Sequence, residues 1–265
     1  MELLLVVALI GILAALLLPA LKHAQIKAER IACKSNMRQL GMAWFNYAMD
    51  NNGVLVLNYP ILAPGEPNPD DWFCGSAAWP HDANYGPAPQ YTCTNLWTAE
   101  NSKLFPYHKS VDIARCPADR RIIGNSRVVR SVSMNCWMNG LALGDPSGKR
   151  VSALDSPTND AQLAFVLFRR EAQLKRPSSV WVIIDEDEAT LDDSMFAFEM
   201  QGNTGLIDLP ARRHANAYGL NFADGHSETF RLQGNAVPTD SFQTSKAGPN
   251  NEDWATLRDV TTVRK

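Results

Sequence analysis

The sequence has no surplus of basic residues. Its 25 Lys and Arg face 28 Asp and Glu, for a net charge of −3, so the main electrostatic term for a phosphate backbone is missing and no nucleic-acid partner is expected. The five cysteines include no Cys-x-x-Cys pair, which removes the common zinc signatures. No Gly-x-Ser-x-Gly, His-Glu-x-x-His or phosphate-cradling glycine loop occurs. The 265 residues are 45% hydrophobic, which excludes wholesale disorder, collagen-like and multi-span membrane compositions. Charge is absent altogether in one place: nothing between Leu3 and Leu21 is ionisable, and no later segment repeats that run.

Those 19 residues, LLLVVALIGILAALLLPAL, would cover roughly 28 Å as a helix, close to the ~30 Å hydrocarbon thickness of a bilayer. A buried helix of a soluble protein seldom lacks a polar position over five turns. A cleaved secretory signal fits poorly, because no Lys or Arg precedes the run and no small-x-small site follows it. Glu2 places one carboxylate at the edge of this segment, where an unpaired charge is costly and usually functional. Pro19 removes a backbone donor and should kink or loosen the helix near its end.

From Lys22 the chain turns polar while keeping a helical pattern. Ile26, Cys33, Met37, Leu40, Trp44 and Tyr47 form one apolar stripe. Asp50-Asn51-Asn52-Gly53 reads as a stop, with Gly53 suited to a left-handed cap. The pattern therefore predicts a single helix of about 50 residues, divided into a greasy half over 1–21 and an amphipathic half over 22–53, followed by a globular head over 54–265. In the head, Val180–Ile184 is the best strand. Tyr218–Leu232 reads as a hairpin, with Tyr218, Leu220 and Phe222 facing inward and Asp224-Gly225 as a two-residue turn of the primed type. The expected fold is α+β: the long helix packed on an antiparallel sheet. Residues 54–103 read as a long irregular insertion, and the tail after Ala236 as loose.

The segment Glu2–Leu21 resembles the N-terminus of type IV pilins and type II secretion pseudopilins, in which a Glu precedes an apolar helix interrupted downstream by a proline. Ile31–Gly41, Asp50–Gly53, Cys116-Pro-Ala-Asp119 and Ser131–Asn135 are similar to the bacterial group with a prepilin-type cleavage and methylation domain. His214, then nine residues, then Asp224-Gly225, matches the His-nine-Asp-Gly signature of that group. The family has a short basic leader and a Gly cleavage site before the Glu; this chain opens Met1-Glu2, so action of a prepilin peptidase is inferred from the residues after the site. The resemblance implies a non-enzymatic pseudopilin-like subunit. It would be anchored by one span in the bacterial inner membrane with its head outside the cytoplasm, and then built into a type II pseudopilus or type IV pilus-like filament. Its partners would be membrane lipid and other subunits, with Glu2 meeting the N-terminal amine of a neighbour to fix register. An alternative is a helix-anchored carbohydrate-binding adhesin that never polymerises, with Trp72, Trp79 and Trp97 as its platform while Trp44, Trp137 and Trp181 serve the core. An anchored metallohydrolase is a third.

In an oxidising compartment the cysteines predict disulfides, Cys74 with Cys93 and Cys33 with Cys116. Six carboxylates over Asp185–Asp193, led by Asp185, Glu186 and Asp187, supply hard oxygen ligands suited to calcium, or simply a solvated acidic loop. His214, Asp224 and His226 are metal-ligand or acid–base residue types; structurally, Asp224 explains itself as a turn residue and His214 as a pin across the hairpin.

Overall fold

The computed structural model describes residues 2–58, 61–63, 66–74, 94–123, 125–140, 165–191, 193–198, 200, 206, 208–233 and 252–264. It opens with α1, Glu2–Asp50, a continuous 49-residue helix that carries Pro19 inside it. Its length, roughly 73 Å, exceeds any bilayer, so one end must continue into something else. It ends where the sequence stops favouring helix: Asn52 and Gly53 both take positive φ, 56° and 76°, and the Gly53 amide closes back on the Ala48 carbonyl at 2.7 Å. That is the reversed bonding of a left-handed C-terminal cap.

After α1 come the short strands β1, Ile61–Ala63, and β2, Glu66–Pro67, then helices α2, Leu96–Glu100, and α3, Phe105–His108. A second two-stranded ribbon follows, β3, Ile122–Ile123, with β4, Ser126–Arg127. The central sheet has β5, Val132–Asn135, β6, Trp181–Asp185, β7, Met195–Phe196, β8, Ala217–Phe222, and β9, Ser227–Arg231, in the order β7-β5-β6-β8-β9. The fold is α+β. The sheet is mixed, a correction to the antiparallel expectation: β7 runs parallel to β5, while the other pairs are antiparallel.

Both faces of the sheet are covered. On one, Cys33, Met37, Leu40, Ala43, Trp44 and Ala48 of α1 join Val132, Met134, Val182 and Ile183 in one core. The predicted stripe is thus the face that packs, with its two ends, Ile26 and Tyr47, only half-buried. Two glycines let the helix lie close. A Cβ on Gly41 would stand 2.2 Å from Oδ1 of Asn221, and one on Gly219 would stand 2.5 Å from the Met37 sulfur. The Asn221 side chain cannot easily retreat, because its amide donates to the His226 carbonyl and the Ser227 hydroxyl, both at 3.1 Å.

On the other face, Trp181, Ile184, Phe196, Tyr218, Leu220 and Phe222 form a second core that also takes in Trp254 and Leu257. Those last two sit on α4, Glu252–Thr261. The loose-tail expectation is therefore corrected over 252–264: the Trp181 indole donates to the Thr261 hydroxyl at 2.9 Å, and Asn135 donates to the Thr261 carbonyl at 2.9 Å. Acidic residues in the first turn and the Trp254, Leu257, Thr261 spacing were the readable signals.

The hairpin turn also differs from the primed turn expected. The Gly225 amide bonds to the Phe222 carbonyl at 2.8 Å and the Phe222 amide to the His226 carbonyl at 2.9 Å. Gly225 has φ of 89°, while Asp224 is absent from the positive-φ residues. This is a three-residue loop, a turn over Ala223-Asp224 followed by a left-handed glycine. A primed turn would need Asp224 left-handed as well.

Candidate functional site

Two features stand apart from ordinary packing. The first is the N-terminal part of α1. Leu3, Leu4, Leu5, Val6, Val7, Leu9, Ile10, Ile12, Leu13, Leu16, Leu17, Leu18 and Leu21 are all exposed. The helix is long and apolar enough to cross a membrane, and none of its apolar window is buried in the head. At about 1.5–3 kcal/mol per large apolar side chain, leaving these thirteen in water forgoes on the order of 20–40 kcal/mol, more than the ~5–15 kcal/mol that holds a domain folded. Some apolar surroundings must cover them.

The second is a buried cluster where α1 first enters the head. Cys33, on α1, is the first fully buried residue along the helix. Cys116 arrives from the loop after α3, Asp185 from the end of β6, and His214 from the turn before β8. All four are 0–2% exposed, and one ligand atom from each lies within 4.8 Å of all the others. The Cys116 sulfur is 3.1 Å from Nε2 of His214; that nitrogen is 3.8 Å from Oδ2 of Asp185. Among the described residues no other group of Cys, His, Asp and Glu comes together this way.

Local geometry explains each placement. The Cys116 amide donates to the Ser131 hydroxyl at 2.6 Å, tying the Cys-Pro-Ala-Asp segment to the start of β5. Ala215 and Asn216 both take positive φ, 56° and 61°, which turns the chain sharply after His214. The His214 carbonyl accepts from Arg30 of α1 at 2.7 Å. Arg213 donates to Asp185 Oδ1 at 2.6 Å and to the Glu186 carbonyl at 2.7 Å. It also lies 3.6 Å from Asp119, which Arg121 holds at 2.6 Å.

The electrostatics are strained towards charge sharing. Burial pushes the Asp185 carboxyl well above the usual range, against the pull of Arg213. The facing Cys116 and burial push the Cys33 thiol up. The bond from Cys33 pulls Cys116 down, against burial and aided by His214 and Arg213.

The predicted site residues distribute as follows. Cys33 and Cys116 meet as unbonded thiols. Cys74 is a buried thiol, while Cys93 and Trp79 lie outside the described residues. Asp185, Glu186 and Asp187 are buried, which overturns the solvated-loop reading for these three. Glu186 accepts from Thr190 at 3.0 Å and Asp187 from Arg212 at 3.2 Å. His214 and His226 stand at opposite ends of β8, about 20 Å of strand apart, so His214 does not pin the turn. Asp224 Oδ1 instead receives the His226 amide at 3.1 Å and contacts its ring Nδ1 at 2.5 Å, and that ring stacks on Phe222. Trp72 is buried, its indole donating to the Ser194 carbonyl, whereas Trp97 is 40% exposed. The described residues thus offer no paired exposed indoles. Trp44, Trp137 and Trp181 are in the core. Glu2 lies at the first turn of α1. Comparison with family models, curated proteins and solved structures finds no match.

Proposed function

We infer that this chain is a non-enzymatic, membrane-anchored subunit of the pilin type. It sits in a bilayer by the first half of α1 and afterwards packs side by side with other subunits through that same half. One observation carries the reading: a single unbroken helix is apolar and uncovered over Leu3–Leu21, and is part of the core of a β-sheet head from Cys33 to Ala48. A soluble protein would have to cover the first half itself. A membrane and a helical bundle of identical subunits both supply the same apolar environment, so transfer between them costs little. In such a bundle Glu2 needs a cation, and the N-terminal amine of a neighbouring subunit supplies one. That pairing fixes register more than it adds stability. Copies related by such a contact are heterologous and need not close, which gives a filament.

The test is expression behind a prepilin-type leader in a bacterium with an assembly machinery. Intact chain should appear in sheared filaments decorated by antibody to the head. Glu2→Ala should leave it in the carbonate-resistant membrane pellet and remove it from the sheared fraction. Recovery of the full chain as a carbonate-soluble monomer, or normal assembly of Glu2→Ala, would contradict this function.

A further inference from the structure

We propose that Cys33, Cys116, Asp185 and His214 bind one structural zinc ion, which rivets α1 to the head. The donor types are those zinc takes: two thiolate sulfurs, one imidazole nitrogen and one carboxylate oxygen. A tetrahedral zinc with bonds of about 2.0–2.3 Å holds its ligand atoms about 3.3–3.8 Å apart. The Cys116–His214 and His214–Asp185 separations are 3.1 and 3.8 Å, and no pair exceeds 4.8 Å.

A second observation points to a missing ligand. Oδ2 of Asp185 is fully buried and accepts no hydrogen bond, although Oδ1 of the same carboxylate is held by Arg213. A buried carboxylate oxygen that meets two thiols and an imidazole without a well-formed hydrogen bond, the Cys116 thiol being its interacting neighbour, is costly. A divalent cation removes that cost.

Charge fits as well. Zinc with two thiolates, one carboxylate and a neutral imidazole leaves one negative charge, and Arg213 is in contact to balance it. Asp119 and Arg121 add a matched outer pair. Oriented carboxylate ligands of this kind usually have an outer hydrogen bond, and Arg213 provides it. His214 differs: its Nδ1 is buried without a partner, and Arg30 holds only its backbone carbonyl.

The site is closed. Four protein ligands with 0–2% exposure leave no position for water, which marks a structural ion. Its location gives the purpose. Cys33 is the first fully buried residue of α1 after the exposed half, just past the Glu29–Arg120 ion pair and the Arg30 bond to the His214 carbonyl, so a pull on the membrane-facing half reaches the head in this region. The ligands come from four separate segments, and metal binding would couple all of them to the helix.

The test uses the full chain in detergent, purified under mild reduction. Inductively coupled plasma mass spectrometry should find one zinc per chain. Cobalt exchanged into the site should show thiolate-to-cobalt charge transfer and tetrahedral d–d bands. Cys33→Ser and Cys116→Ser should lose the metal, whereas Cys74→Ser should retain it. Arg213→Lys should weaken zinc binding about 10–100-fold while the cobalt spectrum stays tetrahedral. Should a variant fail to fold, the metal content and cobalt spectrum of the unaltered chain still decide. A metal-free chain with a peptide-mapped Cys33–Cys116 disulfide would overturn the proposal. So would a metal-free chain with both thiols free after dialysis against zinc.

Discussion

The two halves of α1 have the same secondary structure and opposite fates. Over Leu3–Leu21 every side is apolar, so no face is distinguished, and the segment remains uncovered by its own chain. From Cys33 onwards one apolar stripe is buried against β6, β8 and β9, while Met42, Phe45 and Met49, off that stripe, stay exposed. Helix formation therefore does not decide burial. The angular distribution of apolar side chains does: a stripe specifies one partner surface, while a uniformly greasy rod specifies only a solvent.

The sharpest way to break that comparison is to make one substitution in each half. Leu40→Ala should destabilise the head by about 2–5 kcal/mol, measured by urea unfolding in detergent. Leu16→Ala should move the same transition by no more than about 0.5 kcal/mol. Equal effects would erase the distinction between the halves.

The glycines sharpen it next. Gly41→Ala gains about 1 kcal/mol of helix propensity but drives a Cβ into the fixed Asn221 amide, an overpacking cost of about 1–3 kcal/mol. A net loss of up to about 2 kcal/mol in head stability is expected. Gly11→Ala meets nothing within 4 Å and should cost none. A stabilising Gly41→Ala would mean that the helix does not lie so close to the sheet.

The smallest effect is in the pH dependence where α3 packs against the buried half. Burial brings His108 down from the usual 6.5 to about 4. The unfolded chain therefore binds a proton that the folded chain refuses between those values, so stability is present above pH 6.5 and is lost as pH falls towards 4. His108→Gln should flatten that part of the profile of unfolding free energy against pH relative to the parent. An unchanged slope would place His108 in water.

Much of α1 was legible because its signals are local: an uncharged run, a stripe at helical spacing, and Asn52-Gly53 where left-handed φ is needed. Trp181–Asp185 was legible for the same reason, as a β-branched run. The two-residue strands carry no alternation to read, and Met195–Phe196 gives no hint that it lies parallel to β5. The turn over Ala223-Asp224 depended on one φ angle that the Asp-Gly pair left open. The buried cluster was the least legible. Its members were visible one at a time, Cys33 and Cys116 as a disulfide, Asp185 within an acidic loop, and His214 within a signature. Cys116 and His214 are 98 positions apart, and only tertiary packing of four segments brings these side chains together. The long-range signal was present only as Cys-Pro-Ala-Asp and the His before the hairpin, with nothing to link them.

The central claim is that the first half of α1 belongs to an apolar medium and the second half to the head. Genetically encoded spin labels at Leu9 and, separately, at Ser35, in full-length chain reconstituted into liposomes, test it by relaxation with oxygen and with a water-soluble nickel chelate. The account predicts oxygen-dominated relaxation at Leu9 and nickel-dominated relaxation at Ser35. Leu9 relaxed by nickel as strongly as Ser35, or shielded from both reagents inside the head, would contradict it.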